Sequence, residues 1–257
     1  MKRVADDGSV RDVMRSQKED KSTLSRRDLF YGASLAIAAA VVPGWSLAQE
    51  ANSSIHTFPA VSIMEQLSGY MAEARSRPLP ADVIERTKEH ILDTLAAMVS
   101  GSELPPARVA YSFARSYGGQ TTATVVGSDL LCGPMEAALV NGMLAHSDET
   151  DDSHSPSHSH PGCAIVPAAL ASGELFGIDG QHLLRAVALG YDIGPRISMT
   201  LGGLQFQMKT HRSSHSIANT FGASAAAGCS AGLSAQQMRW LLDYACATGI
   251  GNRGVAA

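Results

Sequence analysis

Aromatic side chains make up 5% of this chain and charged ones 17%. With so few rings, the core must be built from Ala, Leu, Val, Ile and Met, a composition that favours closely packed helices. The net charge is −4 and no basic stripe runs along the sequence, which argues against nucleic acid as a partner. The four cysteines, Cys132, Cys163, Cys229 and Cys246, contain no C-x-x-C pair, so they read as apolar thiols rather than as a metal or redox motif. No internal repeat is evident. The apolar run Tyr31 to Val42 is too short to cross a bilayer, so no permanent membrane anchor is expected.

That run does fit an export signal. Residues 1–25 are polar, then Ser25-Arg26-Arg27-Asp28-Leu29-Phe30 precedes the apolar stretch, and Ser46-Leu47-Ala48 closes it with a small-x-small pattern. Residues 1–48 are therefore expected to be a twin-arginine signal, cut after Ala48, with the export machinery as partner and the periplasm as destination. The alternative is an uncleaved amphipathic leader, and Met14 is an alternative start. Cleavage removes eight basic and six acidic residues and leaves a net charge of −6. Residues 49–59 read as a linker and 60–257 as the folded domain.

Within that domain, helical periodicity is the dominant signal. Val61, Ile63, Met64, Leu67 and Met71 mark a first helix that stops at Pro78-Leu79-Pro80. Asp82 is expected to cap a second, ended by Gly101 and Pro105-Pro106. A third runs from Ala107 to Tyr117. The β-branched stretch Thr121 to Val126 reads as a connector or short strand. Pro134 opens a helix that delivers His146 at its end. Residues 153–161 read as a loop, and helices follow at 163–176 and 180–201. Gly202-Gly203 opens a second irregular stretch carrying Lys209, His211, Arg212 and His215. Two more helices, 221–231 and 235–248, complete an all-α reading with two polar loops that can face one another.

The segment NGMLAHSDETDDSHSPSHSHPG, residues 141–162, concentrates His146, His154, His158 and His160 with Asp148, Glu149, Asp151 and Asp152, a short way after Glu136. Carboxylates and imidazoles held together are material for proton transfer or for metal binding. Three of these imidazoles (His154, His158, His160) with Asp151 or Asp152 would suit zinc, but spacings of four and two in a proline-containing loop match no strong metal signature. A solvated polar loop is the bland alternative. The second loop favours proton transfer, since Lys209 and Arg212 beside His211 and His215 suit a carboxylate substrate. A base there would remove a proton next to a carboxylate while a cation stabilises the charge that develops.

The order NG-x-x-AH-x-DETDDS, HPG-x-x-x-x-PAALASGE and LLRAVALGYDIGPRI resembles the MmgE/PrpD family, with supporting pieces HILDTLAAMVSGSE at 90–103, ATVVG at 123–127 and TFGASAAAGCSAGLSAQQM at 220–238. That family includes 2-methylcitrate dehydratase, cis-aconitate decarboxylase and iminodisuccinate epimerase. The resemblance implies a large all-helical domain, followed in the family by a smaller α/β domain that this chain is expected to lack, as in a truncated or frameshifted product. It implies a homodimer, no cofactor and no metal, and a small di- or tricarboxylate such as 2-methylcitrate as substrate. A dehydratase-type lyase is the expected activity; an isomerase or epimerase of the same family, a periplasmic metal-binding protein using residues 154–160, or an inactive truncated remnant are the alternatives. By the same resemblance His160, His215, Asp151 and Asp152 are the catalytic candidates. Asp148, Glu149, Ser153, Lys209, His211 and Arg212 are the substrate-binding candidates, with His211 the rival of His215. Arg196 is expected to be structural.

Overall fold

The computed structural model describes residues 62–117 and 119–249. The signal segment, the linker and the cleavage site expected over residues 1–59 lie outside them. Among the described residues there are nine α-helices and one two-stranded antiparallel ladder. The helices are α1 (Ile63–Glu73), α2 (Ala81–Gly101), α3 (Pro105–Tyr117), α4 (Pro134–His146), α5 (Gly162–Phe176), α6 (Gly180–Leu201), α7 (Gly203–Thr210), α8 (Ser214–Ser230) and α9 (Ala235–Gly249). The strands are β1 (Ala123–Thr124) and β2 (Leu131–Cys132), with Ala123 opposite Cys132 and Thr124 opposite Leu131. No described helix is long and apolar enough to cross a membrane.

The helix starts follow local chemistry. Ser62 and Glu65 form a reciprocal capping box on α1, and the side chains of Asp179 and Ser213 cap α6 and α8. Pro134 opens α4 at a position whose N–H would have no helical partner. Two expectations change for related reasons. Asp82 lies inside the first turn of α2 rather than capping it, because Pro80 takes the cap position. Pro105 begins α3 instead of ending α2, since proline is tolerated in a first turn. The second polar stretch is also more ordered than its two glycines suggest. Residues 203–210 form the short helix α7, and His215 sits on the first turn of α8.

Two apolar clusters build the core. One joins α2, α3, α4 and α5 around Met98, Val140, Leu144, Ile165 and Val166. The other joins α1, α6, α8 and α9 around Met71, Leu189, Ile193, Ile217, Phe221 and Leu242. The most extensive helix pair is α6 on α8. Small residues set that distance. A Cβ on Gly194 would lie 2.3 Å from the Ala218 carbonyl oxygen and 2.9 Å from Gly222 Cα. The two backbones are therefore as close as they can be, and α8 cannot move outward without opening the core.

This close pair also brings the polar loops together. The loop after α4 holds a single 3-10 turn, Ser155–Ser157, closed by a bridge between His154 and Ser159. Ser198 on α6 donates to the Ser157 carbonyl at 2.8 Å, and Ser214 on α8 donates to the His158 carbonyl at 2.9 Å. Gly203, at φ +51, leaves room for the Pro156 carbonyl, which a Cβ would meet at 2.7 Å. Gly194→Ala forces α6 and α8 apart and should cost about 1–3 kcal/mol. Urea unfolding measures this, and a loss under about 0.5 kcal/mol would show that the pair is not close-packed.

Candidate active site

Three imidazoles form a triangle where the two loops meet. The ring centroids of His146, His160 and His215 lie 5.3 to 5.4 Å apart. His146 ends α4, His160 stands two residues before α5, and His215 is in the first turn of α8, so three helix termini fix the triangle. The Asp151 side chain, with no exposed surface, lies against it. Its two oxygens are 3.0 and 3.1 Å from His146 Nδ1, and Oδ1 is 3.6 Å from His160 Nδ1. A carboxylate facing Nδ1 holds the ring proton on that nitrogen and leaves Nε2 as the basic one. The Nε2 of His146 stands 3.7 Å from the exposed Glu149, while the Nε2 of His160 has no hydrogen-bond partner among the described residues. Ser153 Oγ lies 3.5 Å from His160 Nδ1.

His215 differs from the other two. Its Nδ1 accepts the His160 backbone N–H at 3.2 Å. A neutral ring accepting there carries its proton on Nε2, which meets the Asn219 amide at 2.9 Å. With Nδ2 on that side, two donors would face each other and Asn219 Oδ1 would be buried without a partner. Turning the amide over lets Oδ1 accept the ring proton and removes the clash of donors. Both ring nitrogens are then engaged within the protein. Burial, and after it the neighbouring His146 and His160, hold the His215 pKa below the ordinary histidine value of 6.5.

Asp152 faces away from the triangle. Its Oδ1 accepts the Gly162 N–H and its Oδ2 accepts the Tyr191 hydroxyl, both at 2.8 Å. His90 stacks on Tyr191 with centroids 4.4 Å apart and brings its Nδ1 to 3.5 Å from Oδ2. Burial, then the charge of Asp152, pushes the Tyr191 phenol far up, so it stays a donor. Asp152 thus ties the turn before it to the N-terminus of α5 and to α6. Gly162 has no room for a side chain, since a Cβ would meet Thr94 Oγ1 at 2.6 Å and Asp152 Oδ1 at 2.8 Å.

The remaining candidates divide. Asp148 accepts from Ser100 and Thr150, and the Ser100 bond in particular holds its carboxyl below the usual range. It anchors the 147–150 turn to the end of α2. Glu149 is exposed, with a left-handed backbone at φ 58. A cleft of about 360 Å³ opens beside the triangle, lined by Ser153, His154, Ser155, His158, Ser159, His160, Gln207, Ser213 and His215. Lys209, His211 and Arg212 do not line it; Lys209 and His211 are exposed, and Arg212 is half-buried. The cleft wall therefore offers imidazoles, hydroxyls and an amide, and no lysine or arginine. The alternative metal set is not assembled either. His154 turns its Nδ1 to Ser157 and His158 is exposed, so neither joins Asp151. A different group does converge: ligating atoms of His146, Asp151 and Cys163 lie within 4.8 Å of one another.

His90, Tyr191, Asn219 and Cys163 were not singled out as site residues in the sequence. Tyr191 stands in the segment LLRAVALGYDIGPRI, which marks the family and not the residue's role, and Asn219 comes from a helix far along the chain. His146 was visible in the acidic segment, and the A-H pair at the end of a predicted helix was its signal.

Comparison with known proteins places these residues in context. The profile of the MmgE/PrpD N-terminal domain matches residues 65–257. The cis-aconitate decarboxylase-like protein oryM of Aspergillus oryzae is 29% identical over 198 residues, covering 73% of this chain and 40% of that protein. Human cis-aconitate decarboxylase is 32% identical over 168 residues, 63% of this chain and 34% of that enzyme. The Aspergillus terreus cis-aconitate decarboxylase is 27% identical over 146 residues, 55% of this chain and 30% of that enzyme. The chain spans well under half the length of the curated relatives it matches.

The lowered His215 pKa has a consequence for stability. The unfolded chain binds a proton at this residue near pH 6.5, whereas the folded protein resists doing so until lower pH. The His215 contribution is fully present above pH 6.5 and is lost as pH falls through the folded-state value. The His215 ring signals in NMR should titrate with a midpoint below 6.5; a midpoint at or above 6.5 contradicts the buried, neutral ring.

Proposed function

The chain belongs to the MmgE/PrpD family, and on that premise we propose that it carries the proton-transfer part of a lyase site for small di- or tricarboxylates. The observation that supports this most is the buried Asp151 carboxylate between the Nδ1 atoms of His146 and His160, at the edge of the cleft. The pair of imidazoles is then oriented by one fixed anion, with the Nε2 of each left to exchange a proton. His160 lines the cleft and is assigned the transfer to and from the substrate carbon. His146 is the second ring on the same carboxylate. His215 positions His160 through its backbone N–H, and Asp152 positions the turn through Gly162 and Tyr191.

The relatives named as cis-aconitate decarboxylases support a tricarboxylate-sized substrate. Dehydration of a hydroxy acid such as 2-methylcitrate needs a base for the proton next to a carboxylate and an acid for the leaving hydroxyl. Decarboxylation of cis-aconitate needs a proton delivered to carbon in place of the carbon dioxide that leaves. A ring that exchanges a proton at Nε2 serves either reaction. With no lysine or arginine on the cleft wall, the substrate carboxylates are met here by hydroxyls, Gln207 and imidazolium. The twin-arginine pattern supports a periplasmic address, and the family a homodimer.

Turnover of 2-methylcitrate and of cis-aconitate, followed by product analysis, tests the assignment. His160→Ala should lower kcat on the order of 100- to 10,000-fold. A tricarboxylate should shift the His160 imidazole signals on binding. Unchanged turnover in His160→Ala, or no such shift at saturating tricarboxylate, overturns the role of His160.

A further inference from the structure

The Asp151 carboxylate has a charge problem. Its side chain is fully buried, and among the described residues no lysine or arginine pairs with it. Its neighbours are the His146 and His160 rings and the Cys163 thiol. A buried carboxylate met only by imidazoles and a thiol, with no permanent cation among them, is expensive to maintain, and any small cation that reached it would be strongly held. The atoms around it are those that a borderline-soft divalent ion selects, namely an imidazole nitrogen, a carboxylate oxygen and a cysteine sulfur. They converge within 4.8 Å of one another, a span that small side-chain shifts reduce to the spacing of donors around one ion. Each is fixed by a different part of the chain: the end of α4, the loop after it, and the first turn of α5.

We propose that His146 Nδ1, Asp151 and Cys163 Sγ form a binding site for a divalent cation of the zinc class, and that the ion switches the proton-transfer site off. With Asp151 and a Cys163 thiolate as ligands, a divalent ion makes the buried group neutral. On binding, the Cys163 sulfur gives up its proton to solvent, and the S–H bond is replaced by a bond from sulfur to the ion. The sulfur also loses its hydrogen bond to the His160 carbonyl, now 3.2 Å away. The His146 proton moves from Nδ1 to Nε2, so one proton is released for each ion bound. No electron is transferred. A fourth position remains for water. Asp151 can then no longer orient the His160 ring, which is how occupancy stops turnover. This last step rests on the function proposed above; the binding itself does not.

The test uses cobalt(II) as a visible substitute for zinc, added to the full chain with the exposed Cys246 replaced by serine to remove the competing thiol. One equivalent should produce a sulfur-to-cobalt charge-transfer band that zinc abolishes, with release of about one proton per ion. Cys163→Ser should lose the band and His160→Ala should keep it. Zinc should also raise the melting temperature of the unsubstituted chain in a saturable way, which requires no variant at Cys163 to fold. No charge-transfer band, a band that survives Cys163→Ser, or no zinc-dependent rise in melting temperature overturns the proposal. If His160→Ala abolishes turnover while cobalt fails to bind, the lyase reading stands and the metal site falls.

Discussion

Burial of the Asp151 carboxylate is the constraint around which this end of the protein is arranged. Its side chain has no exposed surface, so its charge must be met by groups in direct contact. Those groups are imidazoles supplied by helix termini, and every element nearby serves to hold them there. α4 ends at His146, α5 begins just after His160, and His215 lies in the first turn of α8. The neighbouring acid, Asp152, works as a clamp, with one oxygen on the backbone of α5 and the other on Tyr191 of α6. Two adjacent carboxylates of the same kind thus have different tasks, set by what each one touches.

The packing that keeps the triangle in place is built from the smallest residues. Gly190 and Gly194 on α6 meet Gly222 and the backbone of α8 with no space for another carbon. That contact fixes the start of α8, and through it the hydrogen bond from the His160 backbone to His215. A chain with few aromatic residues achieves a rigid core by backbone approach instead of by ring packing. The same composition leaves the cleft wall polar but nearly free of fixed charge, so the charge a carboxylate substrate meets on this face depends on imidazole protonation.

Much of this was legible in the sequence. Helical periodicity located most of the helices, because apolar residues at every third or fourth position require a buried face. The density of histidine and acid at 146–160 pointed to the candidate site. Other features were not legible, for physical reasons that particular residues illustrate. Pro105 reads as a stop signal but starts α3, since the missing N–H matters only after the first turn. Lys209 and Arg212 share a stretch with His215, yet α7 carries Lys209 away from the cleft, and a one-residue shift in a helix turns a side chain through about 100°. The alternative of a metal set from His154, His158 and His160 fell because Pro156 and the left-handed His158 build a tight turn between them. Tyr191 and Asn219 entered the site through tertiary contact alone.

The central claim, that Asp151 organises the imidazoles for proton transfer, is most directly tested by two-bond nitrogen–proton NMR of the histidine rings in the unsubstituted protein and in Asp151→Asn. The account predicts that neutral His146 carries its proton on Nδ1 and His215 on Nε2. In Asp151→Asn the His146 preference should be lost while His215 stays unchanged, because its partners are the His160 backbone and Asn219. A His146 ring protonated on Nε2 in the unsubstituted protein, or one indifferent to Asp151→Asn, would contradict the account.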